Sequence, residues 1–327
     1  MANHDNNNEI KEGFVDISSN KQVNKIYKKR GRAIRITSIV LSILLLIGGS
    51  GLLYYYSVLN SLKFVDISDN NSTKATSSTL PTSDGTFSKS QLSNDELLED
   101  SKVLNVMLFG EDNAKGEKFG RSDSMIMLSI DNRHKKLKMT SFQRDSYVYV
   151  DGYGYDKLTN AYAYGGPKLT IQTIESNFGV KVDRYAVVDY ASFIDIIDVL
   201  GGIDLELTQD EIDYINYQLY KNKQSDTRTT ITDAPGKVHL TGQQALWYAR
   251  NRGLDSSEEG IGIAGDDWDR TSRQRKLLET MFNDMKDADL TQIISIVGKV
   301  GPLVTTNLKK DEITALVSHS MLSLIHI

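Results

Sequence analysis

The sequence predicts an α/β protein: a layered α-β-α domain around a central mixed sheet, preceded by one N-terminal transmembrane helix. Three observations predict it. From about Lys102 onward, short apolar runs alternate with segments of helical spacing, the pattern of layered α/β architectures. Residues 36–59 contain no charged side chain. The 327 residues, 25% charged and 39% hydrophobic, have the composition of a folded chain of one or two domains.

Composition also excludes whole classes of function. There is no cysteine, so disulfides, Cys-type zinc sites, iron–sulfur clusters and thiol catalysis are ruled out. The five histidines are scattered singly and form no H-E-x-x-H motif. Any chemistry must come from Asp, Glu, Arg, Lys and hydroxyl groups. Residues 1–35 carry a net +4 and residues 36–100 a net −4, which leaves the rest of the chain with the whole net charge of −5. A nucleic-acid binder needs a basic domain, and this one is mildly acidic. An anion can be held only by a local cluster of cations.

Taken in order, residues 1–35 form a basic segment, with seven basic and no acidic residues between Lys21 and Arg35. The apolar run 36–59, as a helix rising ~1.5 Å per residue, spans ~36 Å and crosses a ~30 Å hydrocarbon core. The basic flank places the N-terminus in the cytoplasm, and Tyr54, Tyr55 and Tyr56 suit the far interface. The run is longer than the apolar region of a cleaved signal peptide. This predicts a single-pass type II membrane protein with its C-terminal part outside. Residues 60–100 are polar and aperiodic, a linker or stalk, with Ser93–Glu96 as a helix cap near its end. Residues 101–327 are the folded domain.

Within that domain, Val103–Phe109 reads as a buried strand closed by Gly110, Met125–Ile130 as a second and Leu137–Phe142 as a third. Tyr147–Val150 alternates and extends the third strand after a bend. Lys168–Phe178 has helical spacing and stops at Gly179. Tyr185–Val188 is a strand, Ala191–Leu200 a helix ended by Gly201-Gly202, and Ile203–Leu207 a strand. Thr208 caps a helix to about Tyr220, residues 221–236 are a loop, and Thr241 caps a short helix through Trp247-Tyr248. Asp269–Met285 and Leu290–Val300 are helical.

Several polar clusters do not suit a core. Asp112 follows the first strand and Asp123 precedes the second, so two carboxylates at neighbouring strand ends could share a Mg²⁺. Ordinary turn chemistry explains them equally well, and alone it is the better reading. Arg144 ends the third strand, where it either points into the same crevice or pairs with Asp145. Arg250 and Arg252, two residues apart, share a face if extended. Arg270 shares a helix face with Gln274 and Arg273. Arg suits bidentate phosphate recognition. Arg121, Arg144, Arg250, Arg252, Arg270 and Arg273 are six of the domain's ten arginines. Surface charge explains any one of them, but not the set gathered at element ends.

Asn105–Gly110, Arg121-Ser-Asp123, Ser141-Phe-Gln-Arg144-Asp145, Lys157–Gly166, Val199–Ile203, Leu240–Arg252 and Asp267–Gln274 occur in an order that resembles the LytR–CpsA–Psr family, over roughly residues 102–290. The resemblance implies a membrane-anchored extracellular phosphotransferase. It moves an anionic glycopolymer, of teichoic-acid or capsule type, from a polyprenyl-pyrophosphate carrier to peptidoglycan, at the C6 hydroxyl of N-acetylmuramic acid, in a Gram-positive wall. It implies Mg²⁺ on Asp112 and Asp123, and pyrophosphate on Arg121, Arg144, Arg250, Arg252, Arg270 and Gln274, with Lys157 a weaker member. Arg144, Asp123 and Asp112 would be catalytic, and the polyprenyl tail would lie in an apolar tunnel between sheet and helices. The alternatives are a polyprenyl-pyrophosphate hydrolase using the same site, and a non-enzymatic membrane regulator of the transcriptional-attenuator kind. Two departures stand out. Gln143 replaces the Pro usual before the catalytic Arg, and the family's further strand after residues 310–322 is lacking, which implies a shortened C-terminus.

Overall fold

A six-stranded mixed sheet organises the chain in a computed structural model that describes residues 54–67, 97–98, 100–112, 119–131, 133–134, 136–224, 229–253, 266–286, 288 and 290–314. The chain divides into two units, Met1–Tyr56 and Ser57–Ile327. In the first, only Tyr54, Tyr55 and Tyr56 are described, and they are helical. The apolar run 36–53 and the Ser93–Glu96 cap lie outside the described residues. Among the described residues, no helix is long and apolar enough to cross a membrane.

The elements of the second unit are β1 (Lys63–Phe64), β2 (Val103–Asp112), β3 (Arg121–Asp131), β4 (Lys136–Ser141), β5 (Tyr147–Val150), β6 (Gly154–Lys157), α1 (Leu158–Phe178), β7 (Arg184–Asp189), α2 (Tyr190–Val199), β8 (Ile203–Leu207), α3 (Gln209–Lys221), β9 (Gly236–Leu240), α4 (Gly242–Arg250), α5 (Asp267–Lys286), α6 (Leu290–Val300) and β10 (Thr305–Thr306). The sheet order is β1-β10-β7-β2-β3-β4. β2 and β7 are parallel, while β2–β3 and β3–β4 are antiparallel. The C-terminal ends of β2, β4 and β7 and the start of β3 therefore share one edge.

The central strands are apolar on both faces, as strands covered on both sides must be. Met107, Phe109, Met125 and Met127 pack with Leu158, Tyr162 and Ile174 of α1. Val106, Ile126 and Leu128 face the other way, toward Leu278 and Phe282 of α5. A third core joins α2, α3, α4 and the antiparallel β8–β9 pair, whose buried residues alternate.

Four expectations are corrected. β2 runs past Gly110 through Glu111 and Asp112, because Asp112 pairs with Arg121 across a bulge. A ladder continues wherever a neighbour supplies hydrogen bonds, whatever the polarity of the side chains. β5 does not extend the third strand. It folds against β6 as a separate hairpin. α1 starts ten residues early and is two helical segments joined at Gly165 and Gly166, with Pro167 opening the second. Gly166 has φ +62°, and a Cβ there would lie 2.6 Å from the Phe119 ring. The linker's first residues supply β1 on the sheet edge beside β10, where Val65 N–H donates to Thr306 O at 2.9 Å. Residues 315–327 lie outside the described residues.

Candidate active site

At the shared edge, Arg144 reaches Asp123 at 2.6 Å. Three backbone features hold Arg144 in place. Phe142 N–H donates to Met125 O, and the first two amides of α1, on Leu158 and Thr159, donate to Ser146 O and Arg144 O. These α1 bonds use orphan helix-start donors to tie down the loop that carries the guanidinium. Gln143 donates to Thr271 Oγ1 at 3.4 Å, so the residue in the usual Pro position contacts α5. The other oxygen of Asp123 accepts from the Tyr190 hydroxyl at 2.8 Å. Burial alone would raise the Asp123 pKa. The hydrogen bonds from Tyr190 and Arg144, with the charges of Arg144 and Arg270, outweigh burial and hold it below the ordinary carboxylate value. Burial likewise works against the charge of Arg144, and Asp123 overcomes it.

α5 brings Arg270, whose side chain is 2% exposed, beside Asp267 at 2.6 Å. Asp267 also lies 3.7 Å from Arg144 Nε. Burial, and the nearby charges of Arg252 and Arg144, push the Arg270 pKa down. Nη2 of Arg270 is the atom that meets Asp267, while its Nε makes no hydrogen bond among the described residues. Buried donors in that state are costly unless an anion meets them.

Arg250 ends α4 and lies over the Tyr190 ring at 4.5 Å and the Trp247 ring at 5.2 Å. Asn251 turns the chain to φ −63°, ψ 122°, leading into exposed Arg252. Arg273 positions this segment and does not face the site. It bonds Asn251 O at 3.1 Å and Glu211 at 2.9 Å. Gln274 accepts from Ser124 Oγ at 3.0 Å and ties α5 to β3.

Behind these polar groups lies a cavity of about 640 Å³. Its walls are apolar residues of the sheet, such as Leu108, Ile126 and Val188, and of the helices, such as Phe193, Leu277 and Met281. Asp123, Arg250, Arg252, Arg270 and Gln274 line the same space. An apolar cavity between sheet and helices is therefore present where a tunnel is expected, with arginines in its lining.

The structure brings together Asp123, Arg144, Arg250, Arg252, Arg270 and Gln274. Asp112 sits close enough to Tyr190 for its charge to act on that hydroxyl. Arg121 and Lys157 lie further out. Arg121 begins β3, exposed, with its charge felt by Tyr164. Lys157 is bound to Asp145 at 2.7 Å and its side chain is 57% exposed. Tyr190 and Asp267 were missed by sequence reading. Asp267 stands at i−3 from Arg270 on one helix, a pairing that i,i+3 spacing could have found. Tyr190 is brought in by the β7–β2 register, which no local pattern reveals. For Mg²⁺ the test is the donor set. No group of three or more His, Cys, Asp or Glu converges among the described residues. Both Asp123 oxygens are engaged, by Arg144 and Tyr190, so a Mg²⁺ expected at Asp112 and Asp123 would draw most of its shell from water and phosphate oxygens.

Fold and site define an α/β domain in which an arginine cluster borders an apolar cavity. The LytR_cpsA_psr family model matches residues 60–323, and the chain belongs to that family. It is 32% identical over 234 residues to the polyisoprenyl-teichoic acid–peptidoglycan teichoic acid transferase TagV of Bacillus subtilis strain 168, covering 70% of this chain and 56% of that protein. It is 30% identical over 231 residues to the corresponding transferase TagU of Oceanobacillus iheyensis, covering 68% and 65%. The chain thus spans less than two thirds of the length of these relatives. Among solved structures, Bacillus subtilis TagV superposes with a TM-score of 0.53 at 28% identity, covering 68% of this chain and 80% of that one. A structure described as TagT bound to LI-WTA superposes with a TM-score of 0.55 at 25% identity, covering 72% and 82%.

Proposed function

We propose that the protein transfers an anionic glycopolymer of teichoic-acid type from a polyprenyl-pyrophosphate carrier to peptidoglycan, at the C6 hydroxyl of N-acetylmuramic acid. The observation that carries this reading is Arg270: a guanidinium 2% exposed, paired with Asp267 through Nη2 and with its Nε lacking a hydrogen bond among the described residues, beside a lipid-compatible cavity. The transferase names of the TagV and TagU relatives support the same reading.

Arg144, Arg250, Arg252 and Arg270 hold the pyrophosphate, and Gln274 steadies the cluster from α5. The polyprenyl tail enters the cavity. The acceptor hydroxyl attacks the phosphorus that bears the glycan. A P–O bond forms, the bond to the bridging oxygen breaks, and polyprenyl phosphate leaves. The hydroxyl proton passes to a carboxylate of the Asp112–Asp123 pair. The product is a phosphodiester. Asp112 and Asp123 would hold Mg²⁺, which supplies neutralisation of charge on the phosphate oxygens when bound. Such chemistry needs positioning and charge stabilisation more than covalent catalysis, so Arg and carboxylates suffice without Cys or His. Residues 36–59 cross the cell membrane with residues 1–35 in the cytoplasm, which keeps the catalytic domain outside and beside its lipid donor.

The test mixes the full-length protein in detergent with a synthetic polyprenyl-pyrophosphate glycan, peptidoglycan oligomers and Mg²⁺, and follows products by mass spectrometry. A glycan–phosphate–peptidoglycan adduct absent with Arg144→Ala is expected. Free glycan phosphate without adduct would assign the site to hydrolysis. Bound lipid with no turnover would assign it to a non-enzymatic receptor.

A further inference from the structure

Six of the chain's 16 tyrosines fall between residues 147 and 164, and only Tyr162 among them is buried. The β5–β6 hairpin and the start of α1 arrange the other five. Val148 and Val150 point inward, so Tyr147 and Tyr149 point outward by the two-residue period of a strand. Tyr155 stands opposite Tyr149 in the ladder, and its ring stacks on Tyr147 with centroids 5.5 Å apart. Tyr153, at the hairpin turn, stacks on Tyr164 at 4.1 Å with the planes 6° apart. Tyr147 is 67% exposed, Tyr153 56% and Tyr164 41%. Burial does not account for rings kept in that state, and contiguous exposed aromatic surface marks a binding site.

We propose that this tyrosine surface holds the glycan strand of the acceptor, and the inference rests on the transferase reading above. The first argument is chemical. A sugar ring has a C–H face that packs on an aromatic ring and a rim of hydroxyls that seek hydrogen bonds. Here the rings are bordered by Asp145, Lys157, Asp156 and Asn160. Tyr164 donates to Asp156 at 2.7 Å and Asn160 donates to it at 2.9 Å beside the Tyr153–Tyr164 stack, and Lys157 stands opposite Tyr147 in the ladder. The second argument is continuity with the site. β5 begins three residues after Arg144, and Arg144 Nε lies 3.3 Å from Asp145, which in turn holds Lys157 at 2.7 Å. The third is the side of the sheet. The hairpin packs with the Phe109 and Met125 face, whereas the cavity opens on the Leu108 and Ile126 face. A lipid donor and a glycan acceptor thus approach the Arg144–Asp123 edge from opposite faces and do not compete for space.

The experiment measures binding of the full-length protein to a peptide-free GlcNAc–MurNAc tetrasaccharide, and in parallel the acceptor and donor KM of transfer. The Tyr147→Ala/Tyr153→Ala double variant is expected to bind the tetrasaccharide at least tenfold more weakly and to raise acceptor KM by a similar factor, with donor KM and the thermal midpoint unchanged. Tyr147→Phe/Tyr153→Phe keeps the rings and is expected to bind as the wild type. No tetrasaccharide binding by the wild type, or equal binding by the alanine variant, overturns the proposal, as does loss of self-association as the only effect. The binding arm does not depend on turnover. Intact tetrasaccharide binding without any transfer would count against the transferase reading and leave the glycan surface standing.

Discussion

Arg144 and Asp123, 21 residues apart in sequence, meet at 2.6 Å on the edge of the sheet where β2, β4 and β7 end. The pair is only partly exposed, at 20% and 16%, so it is screened less than a surface ion pair. Asp123 also accepts from the hydroxyl of Tyr190, whose ring lies under Arg250. One carboxylate therefore fixes two cations, one directly and one through a ring.

Arg144→Ala is expected to lower transfer about 10²–10³-fold, the usual cost of removing one preorganised donor to a developing oxyanion. Arg144→Lys restores the charge but not the fork, and recovers little. Steady-state kinetics with a fixed donor checks both.

Tyr190→Phe removes the hydroxyl and keeps the ring beneath Arg250. Asp123 then loses one of the bonds that depress its pKa. A carboxylate with a depressed folded-state pKa contributes stability that is fully present above its unfolded value, about 3.9, and is lost as pH falls through the lower folded value. The wild type should keep its activity down to that acidic range. The variant's acid limb should move to higher pH, which a pH–rate profile reads directly.

Val188→Trp places an indole in the cavity wall. Donor KM is expected to rise at least tenfold for a long polyprenyl chain and much less for a short, water-soluble one. Equal effects on both donors would dissociate the cavity from the tail.

Asp112→Ala is expected to raise the Mg²⁺ concentration needed for half-maximal transfer. Chelation should abolish turnover in the wild type, and added Mg²⁺ should restore it. Activity indifferent to chelation would remove the metal from the mechanism.

Gly242→Ala tests packing away from the chemistry. A Cβ at Gly242 would lie 2.2 Å from Ile194 O, where α4 starts against α2, and Gly242 N–H donates to Asp198 at 2.7 Å. The two helices must separate to admit the methyl, at about 1–3 kcal/mol. A lowered thermal midpoint with preserved donor affinity is expected.

Much of this was legible in the sequence. The Ile203–Leu207 strand, the Leu290–Val300 helix and the Thr208 cap follow from period and capping chemistry, and Thr208 does form a capping box with Glu211. The arginines were readable as charge gathered at element ends, whereas Asp112 and Asp123 read alone as turn chemistry and enter only through the family resemblance. Lys157 was readable as charge but not as position, since its Asp145 partner is an exposed pair settled by the hairpin. The hairpin itself was misread as an extension of the third strand. Alternation shows that a segment is a strand and is silent about its ladder partner.

By itself, then, the sequence determined periodicity, the order of the arginine motifs and the chemistry left open by the absence of cysteine, since these depend on residues near one another along the chain. The tertiary structure alone decided that Tyr190 reaches Asp123, that Asp267 lies between Arg144 and Arg270, and that the cavity opens behind them. Those contacts join residues up to 123 positions apart, as between Arg144 and Asp267, and only the strand register and the packing of α5 across the sheet bring them within range. Side-chain chemistry is local, whereas the distances that turn it into a site are set by how the layers close.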